Sequence, residues 1–327
     1  MQWPSMRGLA FFLCVVPLLL STGLGQNTEV GAGGDRSLRQ MQTVEKHQEL
    51  TLPSHVVTEL PAKKLLNYYP ELKGLIPATS QDELTNLLAK VGTNEDLFFN
   101  SVPTVSSQED VKRENLDSHG WVQGSPTLTG RYNYFIQAHV AGQGIRFNEG
   151  RVEANWEQTH PIGFNDFGLS KGFALFALQF HPLHQAAATF RYLGRQVLDN
   201  RQCYVVAFVQ EPEKSQLAGR AMINGHEYPI LYQGIAWIEP DGFQLVRMRV
   251  DMLKPPPEVG SQMMDIQLSE VRLPVAAKPL WFPRDVVVTR PVQGGALREK
   301  HQFSDYRVFV SQTNPGPSPQ TAAEKPK

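Results

Sequence analysis

Cysteine is nearly absent from this sequence, with only Cys14 and Cys203 in 327 residues, which excludes a disulfide-stapled scaffold. Net charge is nearly absent too: 31 Lys plus Arg stand against 32 Asp plus Glu, for a balance of -1. The chain therefore lacks the basic excess that phosphate backbones demand, and nucleic acid is not an expected partner. The 26 Gly and 24 Pro follow no collagen period. Beyond residue 20 no apolar run approaches the roughly 20 residues needed to cross a bilayer. Also missing are a Gly-x-Ser-x-Gly elbow, a phosphate loop and a dinucleotide fingerprint; Gly142-Gln143-Gly144 has neither a third glycine nor a helix behind it. What the chain does have is 41% hydrophobic residues, enough to bury a core.

Arg7 precedes an apolar run over residues 9–20 that only Pro17 interrupts, and Ser21, Thr22, Gly23 and Gly25 follow. This predicts a cleaved signal peptide over 1–25, because the run is too short for a membrane anchor. Export follows. Cys14 leaves with the signal, and the mature chain keeps Cys203 in a stretch apolar on both faces, which reads as a packed thiol.

The remainder divides into a polar, glycine-bearing arm (26–50), one domain (51–311) and a proline-rich tail (312–327). Residues 51–100 read as helical: Ser80 and Glu83 form a capping-box pattern, Leu84, Leu87, Leu88 and Val91 make a stripe, and Gly92 is placed to end it. Residues 101–160 read as strands, with turns at Asp117-Ser118-His119-Gly120 and Asn148-Glu149-Gly150. Residues 161–187 read as an inserted flap rich in Phe. Residues 188–311 read as a β-meander with turns at Leu198-Asp199-Asn200-Arg201, Pro240-Asp241-Gly242 and Gln293-Gly294-Gly295. Strands following one another without helices imply antiparallel pairing. Alternation sets Val246, Met248 and Val250 against Arg247, Arg249 and Asp251, so one sheet face is dry and must be covered.

The hairpin Phe190-Arg191-Tyr192-Leu193-Gly194 with Arg201-Gln202-Cys203-Tyr204-Val205-Val206-Ala207-Phe208, followed by Gly234-Ile235-Ala236-Trp237-Ile238-Glu239-Pro240 and Val246-Arg247-Met248, resembles the repeated hairpins of the LolA-like lipoprotein-carrier superfamily and its uncharacterised exported bacterial members. The resemblance covers about residues 186 to 310. It implies an α+β fold in which an open antiparallel β-meander curls into a half-barrel with helices covering its concave face. It also implies a periplasmic address, with an extracellular one as the other outcome of export, and a lipid or lipoprotein as partner.

Joined to the dry face, this gives the expectation of a non-catalytic protein binding an acyl chain or similar ligand without a cofactor. The expected ligand face comprises Tyr192, Tyr204, Val206, Phe208, Trp237, Val246, Met248, Ile266, Leu268, Tyr306 and Val308. Two alternatives stay open. One is a structural or protein-interaction module of the envelope with a filled core. The other is a metal-dependent hydrolase built on His181 and His184, whose spacing can clamp a metal although the glutamate of a zinc-protease motif is missing. Trp121, Trp156, Trp237 and Trp281 read as core rather than as a sugar platform.

Overall fold

The computed structural model describes residues 55–101, 104–141, 144–153 and 169–308. The expected signal peptide, arm and tail lie outside those residues, as do positions 154–160 of the expected strands, with Trp156, and positions 161–168 of the flap. The described chain forms helices α1 (Ala62–Tyr68), α2 (Leu84–Ser101) and α3 (Pro182–Gln185), with 3-10 segments at Pro70–Leu72 and Ala174–Phe180. Its strands are β1 (Ile76–Pro77), β2 (Val105–Asp117), β3 (Val122–Ala141), β4 (Gly144–Glu153), β5 (Ala188–Leu198), β6 (Arg201–Gln210), β7 (Gly219–Ile223), β8 (His226–Ile238), β9 (Leu245–Leu253), β10 (Met263–Val271), β11 (Leu280–Val292) and β12 (Gly295–Val308).

These strands make one open sheet in the order β1-β5-β6-β8-β9-β10-β11-β12-β2-β3-β4, with β7 paired to β8. Neighbours run antiparallel, as the strand-after-strand pattern implies. The sheet is not a single meander, however. β12 pairs with β2 along nearly its whole length, from Gly295 opposite Asp117 to Val308 opposite Val105. The chain thus leaves the sheet at one edge after β4 and re-enters beside β1 at the other. The segment before β5, which includes the 3-10 segment Ala174–Phe180 and α3, serves that crossing.

Local chemistry explains the tight turns. Asp199 and Asn200 both take positive φ, 47° and 62°, which matches a two-residue hairpin to the twist of β5 and β6. Asp117 accepts the N–H groups of His119 and Trp121 at 2.8 and 2.9 Å, fixing the β2–β3 turn. The expected turn at Asn148-Glu149-Gly150 is absent, because β4 runs straight through it. Gly150 is there for close approach: a Cβ would lie 2.7 Å from the Phe135 ring on β3.

The sequence places the end of the second helix at Gly92, but α2 continues to Ser101. Gly92 sits where the 3-10 segment and α3 cross the helix, and a Cβ there would lie 2.7 Å from Gln185 Nε2 and 3.2 Å from the Phe180 carbonyl. Ser80 is not its cap either, since α2 begins at Leu84 and the neighbouring Gln81 instead bonds both the N–H and C=O of Tyr192.

Across β5, β6 and β8 the sheet is dry on both faces, which corrects the expectation of one wet face for that end of the sheet. One set of alternating residues on β5, β6 and β8 (Leu193, Cys203, Val205, Ala207, Ile235, Trp237) packs under Val57, Leu60, Leu65, Tyr69 and Leu72. The opposite set (Tyr192, Val206, Phe208, Ala236) joins the main cluster with residues of β9 to β12 and of β2 to β4. Cys203 is buried in the smaller cluster, and burial pushes its thiol up to about 11. Trp237 is fully buried and donates its indole N–H to Gln196 at 2.8 Å, whereas Trp121 is exposed and Trp281 packs at the edge of the main cluster.

Candidate apolar ligand site

Of the residues expected to form a ligand face, Tyr192, Tyr204, Val206, Phe208, Met248, Ile266, Leu268, Tyr306 and Val308 belong to the main cluster or pack on it. Trp237 and Val246 do not; they join the cluster on the other face. For Trp237 the reason is register: Val206 lies opposite Ala236, and Trp237 lies opposite Val205. For Val246 it is a bulge. Ile238 pairs with Leu245 and Trp237 with Arg247, so Val246 is an extra residue, and alternation breaks where the sequence pattern carried it through.

The same main cluster contains Leu87, Val91, Phe98 and Phe99 of α2 and Phe173, Ala174, Ala177, Leu178 and Phe180 of the crossing segment. Aromatic edges make the contacts: Phe98 meets Phe282 at 5.1 Å between centroids, Phe99 meets Phe147 at 5.4 Å, and Phe180 meets Phe208 at 5.7 Å. Between α2, the 3-10 segment and the starts of β9 and β11 a crevice of about 30 Å3 remains, with Phe98, Ala174, Ala177, Leu245, Leu268 and Trp281 in its walls. That is room for a water or two, not for a ligand.

Glu95 also lines this crevice. It follows Val91 by one helical turn and precedes Phe99 by another, so it takes a core-facing place in the stripe of α2. Its side chain is 6% exposed, and burial pushes its carboxyl up to about 8. At neutral pH the group is a protonated acid.

At the β2–β4 end the main face turns polar. Glu109 receives Arg151 in a two-point pair and lies 2.8 Å from His301 Nδ1. Glu299 receives Arg113 at 2.8 Å, Arg290 at 3.2 Å and the Ser170 N–H at 3.0 Å. Arg151 also donates to the Ser170 carbonyl, and Glu149 accepts the Ala174 N–H at 2.8 Å. The network therefore pins residues 170–174 to the sheet. Burial alone would raise the Glu109 and Glu299 carboxyls, but the His301 hydrogen bonds and the arginines outweigh it and hold both below the usual range. Glu149 lies outside the arginine clamp, and burial pushes it up to about 8.

The opposite face of β2, β3, β11 and β12 carries an open groove of about 670 Å3 with Lys112, Arg131, Lys300, Asp110 and Asp285 along it. Charges of both signs alternate there, and Arg131 pairs with Asp110.

His181 and His184 do not make a metal clamp. His181 Nδ1 accepts the Leu183 N–H at 3.2 Å, capping α3, and its Nε2 lies 3.2 Å from Asp96, so both ring nitrogens are engaged. Burial pushes His184 down to about 4. Among the described residues no group of three His, Cys, Asp or Glu side chains is placed to hold a metal, and no helix is long and apolar enough to cross a membrane.

An open antiparallel sheet, with one long helix packed into its main apolar cluster, defines the class of architecture. No protein-family model matches the chain, and no curated protein matches it. Among solved structures it is similar to a DUF1329 family protein from Desulfovibrio piger, at 12% identity over 69% of this chain and 93% of that one, with a TM-score of 0.39. It is also similar to a putative outer membrane lipoprotein-sorting protein domain from Vibrio parahaemolyticus (9% identity, 69% and 92% covered, TM-score 0.34) and to a LolA superfamily protein from Nitrosomonas europaea (8%, 69% and 93%, 0.32). At identities this low the side chains of this chain stand on their own geometry.

Proposed function

We propose that the protein is an exported, non-catalytic carrier that binds an apolar ligand, such as an acyl chain, between α2 and the concave side of its sheet. The observation that carries this reading is the unsealed seam at the far end of α2. There the crevice penetrates the main cluster beside Trp281, and Leu97, on the same stretch of helix, is 41% exposed. Apolar contact is non-directional, so a chain of methylenes can replace Phe98 and Phe99 against the strands with little loss. The leader-like pattern of residues 1–25 supports export. The periplasm is the compartment the hairpin resemblance favours.

A second reading has its own support. The crevice falls far short of the roughly 300 Å3 that small-ligand pockets occupy, which favours an interaction module with a filled core. Its partner would then lie in the polar groove across β2, β3, β11 and β12. One experiment separates the two. Protein purified gently and analysed by native mass spectrometry carries acyl-chain adducts on the carrier reading, and the delipidated protein binds diphenylhexatriene with enhanced fluorescence. Clean protein that leaves the fluorophore unchanged rejects the carrier reading.

A further inference from the structure

Glu95 is the one buried carboxyl among the described residues for which the fold supplies no partner. Glu109 has Arg151 and His301; Glu114 has Arg298 and Lys112; Asp251 has Arg249. Glu239 accepts three turn N–H groups, and Glu149 accepts the Ala174 N–H. Glu95 receives nothing comparable, yet it stands at a core position of α2 on the wall of the crevice. A buried polar group without a hydrogen bond costs stability, and a leucine in its place would avoid the cost. Such a group inside an apolar site is positioned to fix a ligand's orientation.

Resting on the carrier reading, we infer that Glu95 recognises the polar head of the ligand by donating its carboxyl proton to a carbonyl oxygen of an acyl ester or amide. The size of the crevice agrees: about 30 Å3 admits a carbonyl group, while the chain itself would lie along the sheet where α2 now packs. The groups around Glu95, of which only Lys278 is charged, agree as well. The 3-10 segment presents Ala174 and Ala177, β9 and the turn before it present Leu245 and Gln244, and the loop before β11 presents Lys278. A cationic head would meet Lys278 and would need the acid to ionise. A free carboxylate would bring an unscreened charge against apolar walls that offer it one donor. A neutral acceptor matches a neutral acid, and burial keeps Glu95 protonated up to about 8.

The test compares methyl palmitate with hexadecane as displacers of diphenylhexatriene, at pH 6 and pH 9.5, for wild type, Glu95→Gln and Glu95→Leu. Wild type is expected to prefer the ester about tenfold at pH 6, the worth of one hydrogen bond, and to lose the preference at pH 9.5. Glu95→Gln keeps a donor that does not titrate, so its preference persists at both pH values. Glu95→Leu binds both probes without preference. An ester preference that survives in Glu95→Leu, or that wild type retains at pH 9.5, overturns the role of Glu95 while the carrier reading stands. If no protein binds either probe, the carrier reading falls and this inference falls with it.

Discussion

Replacing Glu95 by glutamine changes how the stability of this protein depends on pH, and the size of the change follows from its burial. In the folded chain the carboxyl holds its proton up to about 8; unfolded, it releases it near 4.5. Between those values the unfolded state binds fewer protons, so stability falls as pH rises. The contribution is fully present below 4.5 and is lost as pH passes through about 8. At 1.36 kcal/mol per tenfold change in proton affinity, the loss is about 3 kcal/mol at pH 7 and about 5 kcal/mol at pH 9. Glutamine does not titrate, has nearly the same shape, and gives up no hydrogen bond, since the fold gives Glu95 none to lose. Glu95→Gln should therefore match wild type at pH 4.5, exceed it by about 3 kcal/mol at pH 7, and exceed it by about 5 kcal/mol at pH 9. Glu149 titrates in the same range in both proteins and cancels from the difference. Urea unfolding followed by tryptophan fluorescence measures the gap, Trp237 being fully buried. A difference that stays within about 1 kcal/mol from pH 4.5 to 9 refutes the reasoning, since it means Glu95 ionises freely in the folded chain.

Three further outcomes follow from the packing. Gly92→Val drives a side chain against Gln185, whose amide bonds the Leu88 and Phe180 carbonyls at 2.9 and 2.6 Å; it should cost about 2–3 kcal/mol in urea unfolding, and an unchanged midpoint would show that α3 does not cross there. Glu109→Ala leaves Arg151 buried without its carboxylate and should cost about 3–5 kcal/mol, most of which the double variant Glu109→Leu with Arg151→Met restores; a loss under 1 kcal/mol would show that the pair is solvated. Cys203, 1% exposed and with its thiol pushed up to about 11, should react with a maleimide at pH 7.5 at least about a hundredfold more slowly in native protein than in urea; equal rates would place it at the surface.

Local signals carried the hairpins and lost the long-range joins. Asp199-Asn200 and Gly294 mark their turns because the residues that tolerate positive φ are few. Asn224-Gly225 carries the same signal, at 50° and 80°, and closes β7 on β8, a hairpin legible in the local sequence. Gly92 misleads because a glycine that ends a helix and one that lets another segment cross it are identical in sequence. The pairing of β12 with β2 leaves no local trace, as both strands alternate equally well with any neighbour. In the candidate site the alternation of Met248, Ile266 and Leu268 was visible, but the bulge at Val246 was not. Glu95 did leave a trace, one charged residue inside the stripe Val91, Glu95, Phe99. The ion network left none, because Glu109, Arg151 and Glu299 become partners only once β2, β4 and β12 are assembled.

The segments packed on the main cluster are held by bonds of different kinds, and on the carrier reading that ordering decides where a ligand enters. Residues 170–174 are tied down by Arg151 and Arg290, which donate to Ser170, by Glu299, which accepts the Ser170 N–H, and by Glu149, which accepts the Ala174 N–H. Lifting them strands buried charges at several kcal/mol each. The first half of α2 is locked to α3 through Gln185. Its second half is held by Asn94 to the carbonyls of Gly242 and Phe243, by Asp96, whose side chain is 55% exposed, to His181, and otherwise by apolar contact. A single hydrogen bond to a carboxylate this open to solvent is worth about 1 kcal/mol, and apolar contact is the one interaction an acyl chain replaces in kind. On the carrier reading the ion network is the fixed side of the cover and the Glu95 end is the side that opens. A nearly filled interior is then the closed state of such a site, in which Phe98 and Phe99 occupy the space that the ligand takes.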